Sequence, residues 1–372
     1  MKKLGLIVNP IAGLGGRVGL KGTDGPEVVR RALELGAVPE APARARRALE
    51  QLLPLRKELL VLTYPGTMGG EVARDLGFRV EFIGRPEGET STAQDTRIAA
   101  RKLLDLGVDL LLFCGGDGTA RDIYTAVGTR IPALGAPAGV KMHSGVFAPT
   151  PERAGEIAHR YLEGETRQTA DVEVMDIDEN AFRRGEVRAR LFGYLRVPKA
   201  GGGVQGAKVG TPPSERYVQQ AIAAWMKEEM APGVVYLIGP GTTTQAVLIS
   251  LGLSGSLLGV DAVWNGKLVG ADLAERELLQ LARDKPMRIV VSPIGGQGHI
   301  LGRGNQQLSP TLIRAAGGKA GLLVLATPGK LASLGGKPFL VDTGDPALDV
   351  ELTGYVQVIT GYRRKAIYRV GT

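Results

Sequence analysis

The first part of the chain alternates short apolar runs with longer segments whose apolar residues recur at helical spacing. The runs that predict strands lie at 3–8, 59–62, 80–83 and 108–114. The segments with helical spacing lie at 26–35, 41–53, 69–76 and 92–106. A strict alternation of strands and helices predicts a parallel sheet with helices on both faces. In such sheets, ligands bind beyond the carboxyl ends of the strands.

The pattern changes after a predicted helix at 151–163. Residues 171–178 and 186–197 alternate with period two, which predicts antiparallel strands and a second domain that begins near Thr169. A further helix is predicted at 215–230, and further strands at 234–238, 289–291, 322–326 and 355–360. We therefore predict an α/β protein of two domains. Residues 1–168 are expected to form a doubly wound parallel sheet that binds a nucleotide, and residues 169–372 a mixed α/β substrate domain. The pattern leaves open whether the last strands of the second domain return to the first.

The segment Gly115–Thr119, with the sequence Gly-Gly-Asp-Gly-Thr, directly follows an apolar strand, and a helix begins near Ala120. Glycines let backbone N–H groups approach a ligand closely, and the start of a helix attracts a phosphate. A carboxylate beside an anion site is unfavourable unless it holds a metal or takes a proton from a hydroxyl. Asp117 therefore indicates phosphoryl transfer. The alternative interpretation is a tight turn in which Asp117 caps the helix.

Three other glycine-rich segments follow predicted strands. The loop 9–25 carries six glycines, at positions 13, 15, 16, 19, 22 and 25, and a loop of this kind usually serves a ligand. The segment 239–244 precedes a helix and is either a phosphate loop or another helix cap. The segment 295–304 concentrates the polar side chains of Gln297, His299, Arg303 and Asn305 among glycines, which favours a ligand loop over a plain mobile loop.

Composition narrows the class of ligand. A chain of 372 residues with 44% hydrophobic residues is long enough for two packed domains. The net charge of +8 suits an anionic ligand such as a nucleotide or polyphosphate, but it is too small to imply nucleic acid. No apolar segment has membrane-spanning length and the start lacks a signal-peptide pattern, so we expect a cytoplasmic protein. Cys114 is the only cysteine, which excludes an intrachain disulfide.

Several enzyme classes are excluded by missing patterns. No Gly-x-x-x-x-Gly-Lys-Ser/Thr segment occurs, so the chain is not a P-loop kinase. The glycines 201, 203 and 206 match a dinucleotide-binding pattern, but prolines at 212 and 213 follow them, and we interpret the match as accidental. His143, His159 and His299 lack the spacing of paired metal ligands, which argues against a zinc hydrolase.

The pairing of Asn-Pro-Ile-Ala-Gly at 9–13 with Gly-Gly-Asp-Gly-Thr at 115–119 resembles the superfamily of NAD kinases, diacylglycerol kinases and sphingosine kinases. Within it, the chain looks most like predicted ATP- or polyphosphate-dependent NAD kinases related to the acetoin-catabolism accessory protein. Pro-Ala-Gly-Val-Lys at 137–141, Gly-Gly-Gln-Gly-His at 295–299 and Arg-Gly-Asn-Gln at 303–306 carry this likeness. Two features of ordinary NAD kinases, an Asn-Glu pair and a Thr-Pro-Thr-Gly-Ser segment, are absent. Gly241–Thr244 is a candidate replacement for the latter.

The resemblance implies a role for each matching residue. Asp117 is implied to be the catalytic carboxylate. The implied phosphate- and nucleotide-binding residues are Asn9, Gly13, Gly115, Gly116, Gly118, Thr119, Thr242 and Thr243. The implied substrate-side residues are Asp122, Gly139, Lys141, Gln297 and Asn305. No protein ligand is assigned to a metal, and Mg²⁺ is expected on the donor phosphates.

The implied reaction transfers a phosphoryl group from ATP or polyphosphate to the 2′-hydroxyl of NAD, giving NADP. Three alternatives stay open: a lipid kinase of the diacylglycerol type, a kinase for another small alcohol or sugar, and a nucleotide-binding regulator without turnover. Relatives suggest a homodimer or homotetramer, and neither nucleic acid nor a membrane is expected as a partner.

Overall fold

The computed structural model describes residues 1–20, 25–88, 91–139, 142–177, 189–199, 213–283, 285–294 and 297–372. These residues divide into two compact units. The first unit contains residues 1–14 and most of the chain before 200, and the second contains residues 15–20 and the chain from 213 onwards. The glycine-rich segment 15–20 therefore packs with the second unit, although the strand that leads into it belongs to the first.

The first unit alternates strands and helices as its periodicity predicts. Its strands are β1 (Lys2–Val8), β2 (Leu59–Thr63), β3 (Arg79–Phe82), β4 (Leu110–Gly115), β5 (Ala133–Pro137), β6 (Thr169–Ile177) and β7 (Ala189–Pro198). Its helices are α1 (Pro26–Glu34), α2 (Ala41–Glu50), α3 (Gly70–Asp75), α4 (Ala93–Asp105), α5 (Asp117–Val127) and α6 (Pro151–Glu163).

The first five strands form one parallel sheet in the order β3-β2-β1-β4-β5. Helix α2 packs with α6 and α4 packs with α5, and both pairs contact the central strands β1 and β4. Every residue of β4 is buried, as expected for a central parallel strand that helices cover on both faces. This architecture confirms the predicted α/β fold with a parallel N-terminal sheet.

The hairpin of β6 and β7 is antiparallel, as its period-two pattern predicts, but it packs on the first unit. Val174, Leu195 and Val197 are fully buried in the same hydrophobic core as the parallel sheet. The boundary predicted at 168/169 thus differs from the division that the contacts give. Alternation of side chains identifies an antiparallel strand, but it does not reveal which core the buried face joins.

The second unit is built on a larger mixed sheet. Its strands are β8 (Val235–Ile238), β9 (Asp261–Trp264), β10 (Lys267–Gly270), β11 (Met287–Val291), β12 (His299–Leu301), β13 (Leu322–Leu325), β14 (Phe339–Val341), β15 (Gly354–Gly361) and β16 (Arg364–Gly371). Its helices are α7 (Pro213–Glu229), α8 (Thr242–Ser250), α9 (Glu275–Ala282), α10 (Pro310–Ala315), α11 (Pro328–Ser333) and α12 (Pro346–Leu352).

This sheet has the order β10-β9-β8-β11-β13-β15-β16-β14-β12. The neighbours β8, β11, β13 and β15 run parallel, whereas β9 pairs antiparallel with both β8 and β10, and β15 with β16. The mixed α/β character predicted for the second part of the chain is confirmed. The last strands, β15 and β16, stay in the sheet of the second unit and do not return to the first.

Candidate active site

The strand order of the first sheet reverses between β1 and β4. The chain leaves β1 toward β2 on one side and leaves β4 toward β5 on the other. Such a reversal opens a crevice beyond the carboxyl ends of the two strands, where ligands of open α/β sheets bind. β1 leads into Asn9, whose N–H donates to the carbonyl of Cys114 near the end of β4 at 2.9 Å. The topology therefore brings two predicted motifs to one corner.

Asn9 ties the end of β1 to the first turn of α5. Its Nδ2 donates to Oγ1 of Thr119 at 3.0 Å, and its Oδ1 accepts from the N–H of Ile11 at 3.3 Å. Thr119 is buried. Because one amide bonds both its own loop and the helix, it fixes the position of the glycine-rich loop relative to α5.

Three glycines in this corner leave little room for a side chain, because backbone atoms lie against them. Gly13 has a φ of +79°, and a Cβ added to it would lie 2.1 Å from the carbonyl oxygen of Ala138. A Cβ on Gly116 would lie 3.1 Å from Cα of Gly139, and a Cβ on Gly139 would lie 2.8 Å from Cα of Gly116. The predicted residues Gly13, Gly116 and Gly139 thus meet where the loops after β1, β4 and β5 converge.

The start of α5 is open to an anion. Gly116 is its N-cap residue and makes no side-chain capping bond, and Gly118, in the first turn, is partly exposed. Gly115 holds the neighbouring loop, because its carbonyl accepts from the N–H groups of Ala138 at 2.9 Å and Gly139 at 3.2 Å. Helix N–H groups that no side chain caps are available to phosphate oxygens.

The carboxylate of Asp117 is held from outside its own helix. Oδ2 accepts the N–H of His143 at 2.7 Å, and Oδ1 accepts the N–H of Ser144 at 3.0 Å. Asp117 therefore does not act as the helix cap of the alternative interpretation, since it bonds the loop after β5. Its side chain is 13% exposed. Each carboxylate oxygen has a second acceptor position, which a proton acceptor for a hydroxyl needs.

Sequence reasoning missed both residues that hold Asp117. The spacing of His143 argues only against a metal ligand, and no pattern in the sequence indicates Ser144. The imidazole Nδ1 of His143 lies 3.4 Å from Oδ2 of Asp117. Ser144 is fully buried, and its hydroxyl accepts the N–H of Met175 in β6 at 2.9 Å. The strand order could have indicated them. Because β5 lies beside β4 and runs parallel to it, the residues that follow β5 reach the same edge of the sheet as Asp117.

The predicted substrate-side residues of the first unit fall into three situations. Gly139 lies in the corner described above. Asp122, one turn further along α5, forms an ion pair with Arg97 of α4 at 2.7 Å. This pair joins two packed helices, which is a structural role for Asp122. Lys141 lies outside the described residues, and its role stays a prediction.

The four predicted residues after 200 lie in the second unit. Thr242 begins α8 and its Oγ1 accepts from Nε2 of Gln219 at 3.1 Å, while the hydroxyl of Thr243 is fully buried. Gln297 is also buried. Asn305 closes its own loop, since Oδ1 accepts the N–H of Gly302 at 3.0 Å and Nδ2 donates to the carbonyl of Ile300 at 2.9 Å. The amide of Asn305 thus has a structural role that the sequence did not indicate.

A second group of ionisable residues lies where α4 begins. Burial opposes ionisation of Asp95, but the Thr92 hydroxyl and the N–H groups of Glu87 and Thr92 donate to its carboxylate and hold its pKa below the usual value. Burial raises the pKa of Tyr64 at the end of β2, and the carboxylates of Asp95 and Glu87 raise it further. The charge on Asp95 is therefore stabilised by the helix cap that it completes.

Metal and membrane sites can be assessed for the residues that the structure describes. Among them, no three His, Cys, Asp or Glu side chains cluster closely enough to hold a metal ion. No helix in the same residues has the length and apolarity to cross a membrane.

Comparison with known families places this geometry in context. Residues 4–166 match the ATP-NAD kinase N-terminal domain, and residues 232–370 match the ATP-NAD kinase C-terminal domain. The chain belongs to the NAD kinase family. The Asp117 corner lies within the part that matches the family's N-terminal domain.

Two solved structures described as diacylglycerol kinases from Bacillus anthracis str. Sterne are similar to this chain at 16% sequence identity. One has a TM-score of 0.27 and the second a TM-score of 0.24; each match covers 48% of this chain and 46% of the other. The similarity spans about half of either chain, and no conclusion rests on it. A comparison with curated proteins gives no match.

Proposed function

We propose that this kinase transfers the terminal phosphoryl group of ATP or polyphosphate to the 2′-hydroxyl of the adenosine ribose of NAD, giving NADP. Membership of the NAD kinase family supports the choice of acceptor. One observation carries the choice of site: the carboxylate of Asp117, held by two backbone N–H groups beside an uncapped helix start at the reversal point of the sheet.

Asp117 orients the acceptor hydroxyl and takes its proton as the phosphoryl group transfers in line. The N–H groups of His143 and Ser144 keep the carboxylate in one orientation, so little reorganisation is needed when the acceptor binds. The N–H groups at the start of α5 bind oxygens of the donor, and Asn9 with Thr119 fixes the loop that closes this corner. Lys141 is proposed to stabilise the transferred group.

Magnesium fits this corner only as an ion that the donor phosphates carry. The described residues contain no three-ligand cluster of acidic, His or Cys side chains, and Mg²⁺ at such sites is commonly bound by one or two carboxylates together with substrate phosphates. When bound, it supplies charge neutralisation on those phosphates. Asp117 is the residue of this chain that would help to hold such an ion.

The remaining parts of the proposal concern binding and assembly. Gly139 and Gln297 are proposed on the acceptor side. Asp122 and Asn305 are proposed there too, in addition to the structural bonds that they make. Gly13, Thr242 and Thr243 are proposed among the nucleotide contacts. The net charge of +8 supports a preference for anionic ligands. We propose a cytoplasmic homodimer or homotetramer that binds neither nucleic acid nor a membrane.

A panel of donors and acceptors tests the proposal. The purified protein is incubated with Mg²⁺, with ATP or polyphosphate as donor, and with NAD, a diacylglycerol or a small polyol as acceptor. NADP is measured with an NADP-specific dehydrogenase and the other products by donor consumption. We expect NADP from at least one donor and no product from the other acceptors. Phosphorylation of the diacylglycerol or the polyol without NADP would refute NAD as the acceptor.

A further inference from the structure

A groove opens on one face of the sheet in the second unit, at the end where its central parallel strands begin. Its volume is about 610 Å³, and its walls come from α7, β8, β11, β13, β15, β16 and the turn Gly318–Gly321. All of these elements belong to the second unit. Cavities of this size commonly accommodate a small ligand.

The groove lies at the opposite edge of the sheet from the proposed nucleotide contacts Thr242 and Thr243. Those two residues begin α8, beyond the carboxyl end of β8. In the groove wall, Tyr236 of β8 is paired with Arg288 of β11, near the starts of both strands. Because β8 and β11 have four and five residues, their two ends are about 13–16 Å apart. A small ligand in the groove therefore does not occupy the nucleotide loops of this unit.

The floor of the groove is apolar where α7 covers the sheet and open beyond that helix. Alternate residues of a strand share one face, so Tyr355, Gln357 and Ile359 of β15 lie on the same side of the sheet. Ile359 is buried in one cluster with Met226 of α7. Leu323, on the neighbouring strand β13, is partly buried, whereas Gln357 is exposed and Tyr355 is 69% exposed. An apolar strip thus leads from the covered core toward solvent.

Two cations lie around the start of β13, beside this strip. The guanidinium of Arg288 donates to the carbonyl of Ala320, and Nζ of Lys319 donates to the carbonyl of Thr353 at 2.6 Å. Both cationic side chains are exposed, and both residues line the groove. A guanidinium has five N–H donors and an ammonium has three, so a bond to one carbonyl leaves donors for a ligand.

The charge of the groove lining is positive. Besides Arg288 and Lys319, the described residues that line it include Lys365, whose Nζ lies 5.1 Å from the centre of the Trp225 ring, and one acidic residue, Glu229. Three cations against one carboxylate favour an anion. The apolar strip beside them favours a ligand that also has an apolar body.

We propose that this groove binds a small organic anion with an apolar body, such as a medium-chain carboxylate. The acidic group bonds Arg288 and Lys319, because charge-assisted hydrogen bonds to a carboxylate are the strong ones. The apolar chain lies over Leu323 and Gln357 toward α7. The site is additional to the Asp117 corner and does not depend on which acceptor the kinase uses.

Isothermal titration calorimetry of the full chain with octanoate tests the groove, with acetate and 1-octanol as matched ligands. Acetate keeps the charge without the apolar chain, and 1-octanol keeps the chain without the charge. Each is expected to bind about tenfold or more weakly than octanoate. Saturating ATP or NAD should leave the affinity for octanoate unchanged. Asp117→Asn should also bind octanoate as the wild type does, which separates this proposal from the kinase reaction.

Gln357→Glu keeps the shape of an exposed side chain and adds a negative charge to the floor of the groove. We expect it to weaken octanoate binding about fivefold or more, because like charges repel at close range. The matched control is Gln280→Glu, which makes the same change at an exposed residue of α9, outside the groove, and should bind as the wild type does.

Lys319→Met provides a second variant, because it removes the ammonium group and keeps most of the apolar stem. Its affinity for octanoate should fall about threefold or more, while that for 1-octanol stays unchanged. Circular dichroism checks that each variant is folded.

Equal affinity of the wild type for octanoate and 1-octanol, or displacement of octanoate by ATP or NAD, would overturn the proposal. Wild-type affinity for octanoate in folded Lys319→Met, or equal effects of Gln357→Glu and Gln280→Glu, would do the same. Sedimentation velocity examines the other possible occupant, a second copy of the chain. A wild type that binds no octanoate, together with an oligomeric state that changes in Gln357→Glu, would overturn the proposal and assign this face to a second copy.

Discussion

The N–H of His143 donates to Oδ2 of Asp117 at 2.7 Å, while the imidazole of the same residue lies 3.4 Å from that oxygen. The backbone of His143 therefore makes the closer contact, and the N–H of Ser144 makes the matching bond to Oδ1. These backbone donors remain in place when the side chain of His143 or Ser144 is substituted. The proposed general base is thus held by the path of the loop after β5 more than by the side-chain types in it.

His143→Ala is predicted to keep kcat within about tenfold of the wild type, because both backbone donors to Asp117 remain and the ring contact to Asp117 is the more distant one. The measurement is steady-state NADP formation over a range of NAD concentrations. A loss on the order of 10² or more, the size expected when a general base is removed, would show instead that the imidazole takes part in the proton transfer.

Gly13→Ala is predicted to weaken both the fold of the first unit and binding of the phosphoryl donor. The residue has a positive φ, and its new Cβ would lie 2.1 Å from the carbonyl oxygen of Ala138, so a backbone segment at the active corner must move. The measurements are urea unfolding and the KM for the donor.

Gly36→Ala is the matched control for Gly13, because Gly36 has a φ of +83° with nothing within 4 Å of an added Cβ. It carries only the conformational cost of about 1 kcal/mol and should leave the KM unchanged. Equal effects of the two substitutions would contradict close packing at Gly13.

Asp95 is predicted to make the first unit sensitive to acid. Its folded-state pKa lies below the ordinary value of 3.8, so its contribution to the free energy of unfolding is present above that value. The contribution is lost as the pH falls through the lower, folded-state pKa. Asp95→Asn should therefore lower the free energy of unfolding at pH 7, and this free energy should fall less in the variant as the pH drops below the ordinary pKa of Asp95. Urea unfolding at several pH values checks this.

Asp105→Asn serves as the control for Asp95, since it changes an exposed carboxylate in the last turn of the same helix. It should leave the pH dependence of the unfolding midpoint unchanged. An identical pH dependence in Asp95→Asn and the wild type would contradict the role assigned to the capping carboxylate.

Asp342→Asn is predicted to destabilise the second unit by about 3–5 kcal/mol, because it leaves the Arg303 charge buried beside a neutral amide. Nε of Arg303 lies 3.8 Å from Oδ2 of Asp342, and their side chains are 2% and 0% exposed. Urea unfolding measures the loss. Glu351→Gln removes an exposed partner of Arg314 and should not change the unfolding midpoint. A midpoint for Asp342→Asn equal to that of the wild type would show that the buried pair does not stabilise the unit.

The strands and helices of the first unit could be predicted because their signals are local. Apolar runs such as 108–114 and helical spacing such as 92–106 depend only on neighbouring residues, and the alternation then implies a parallel sheet. The packing partner of the hairpin β6–β7 could not be predicted, because it depends on contacts with β5 and α5 that are distant in the chain.

The candidate site also has one part that the sequence could predict and one part that it could not. Asp117 and the glycines beside it could be recognised in the sequence, because their roles require these residue types. The groups that hold Asp117 are backbone N–H groups 26 and 27 positions away, and a backbone donor leaves no mark on residue type. The ion pair of Asp122 with Arg97 could not be predicted either, because Arg97 lies on another helix 25 positions earlier.

The most direct test of the account is the rate of NADP formation by the wild type and Asp117→Asn, with Mg²⁺, NAD and whichever donor supports turnover. Asparagine keeps the size of the side chain, so circular dichroism and urea unfolding should show a folded variant with modest loss of stability. The account predicts a kcat lower by on the order of 10² to 10⁴, because a general base is removed. Turnover near the wild-type rate in the folded variant would contradict it.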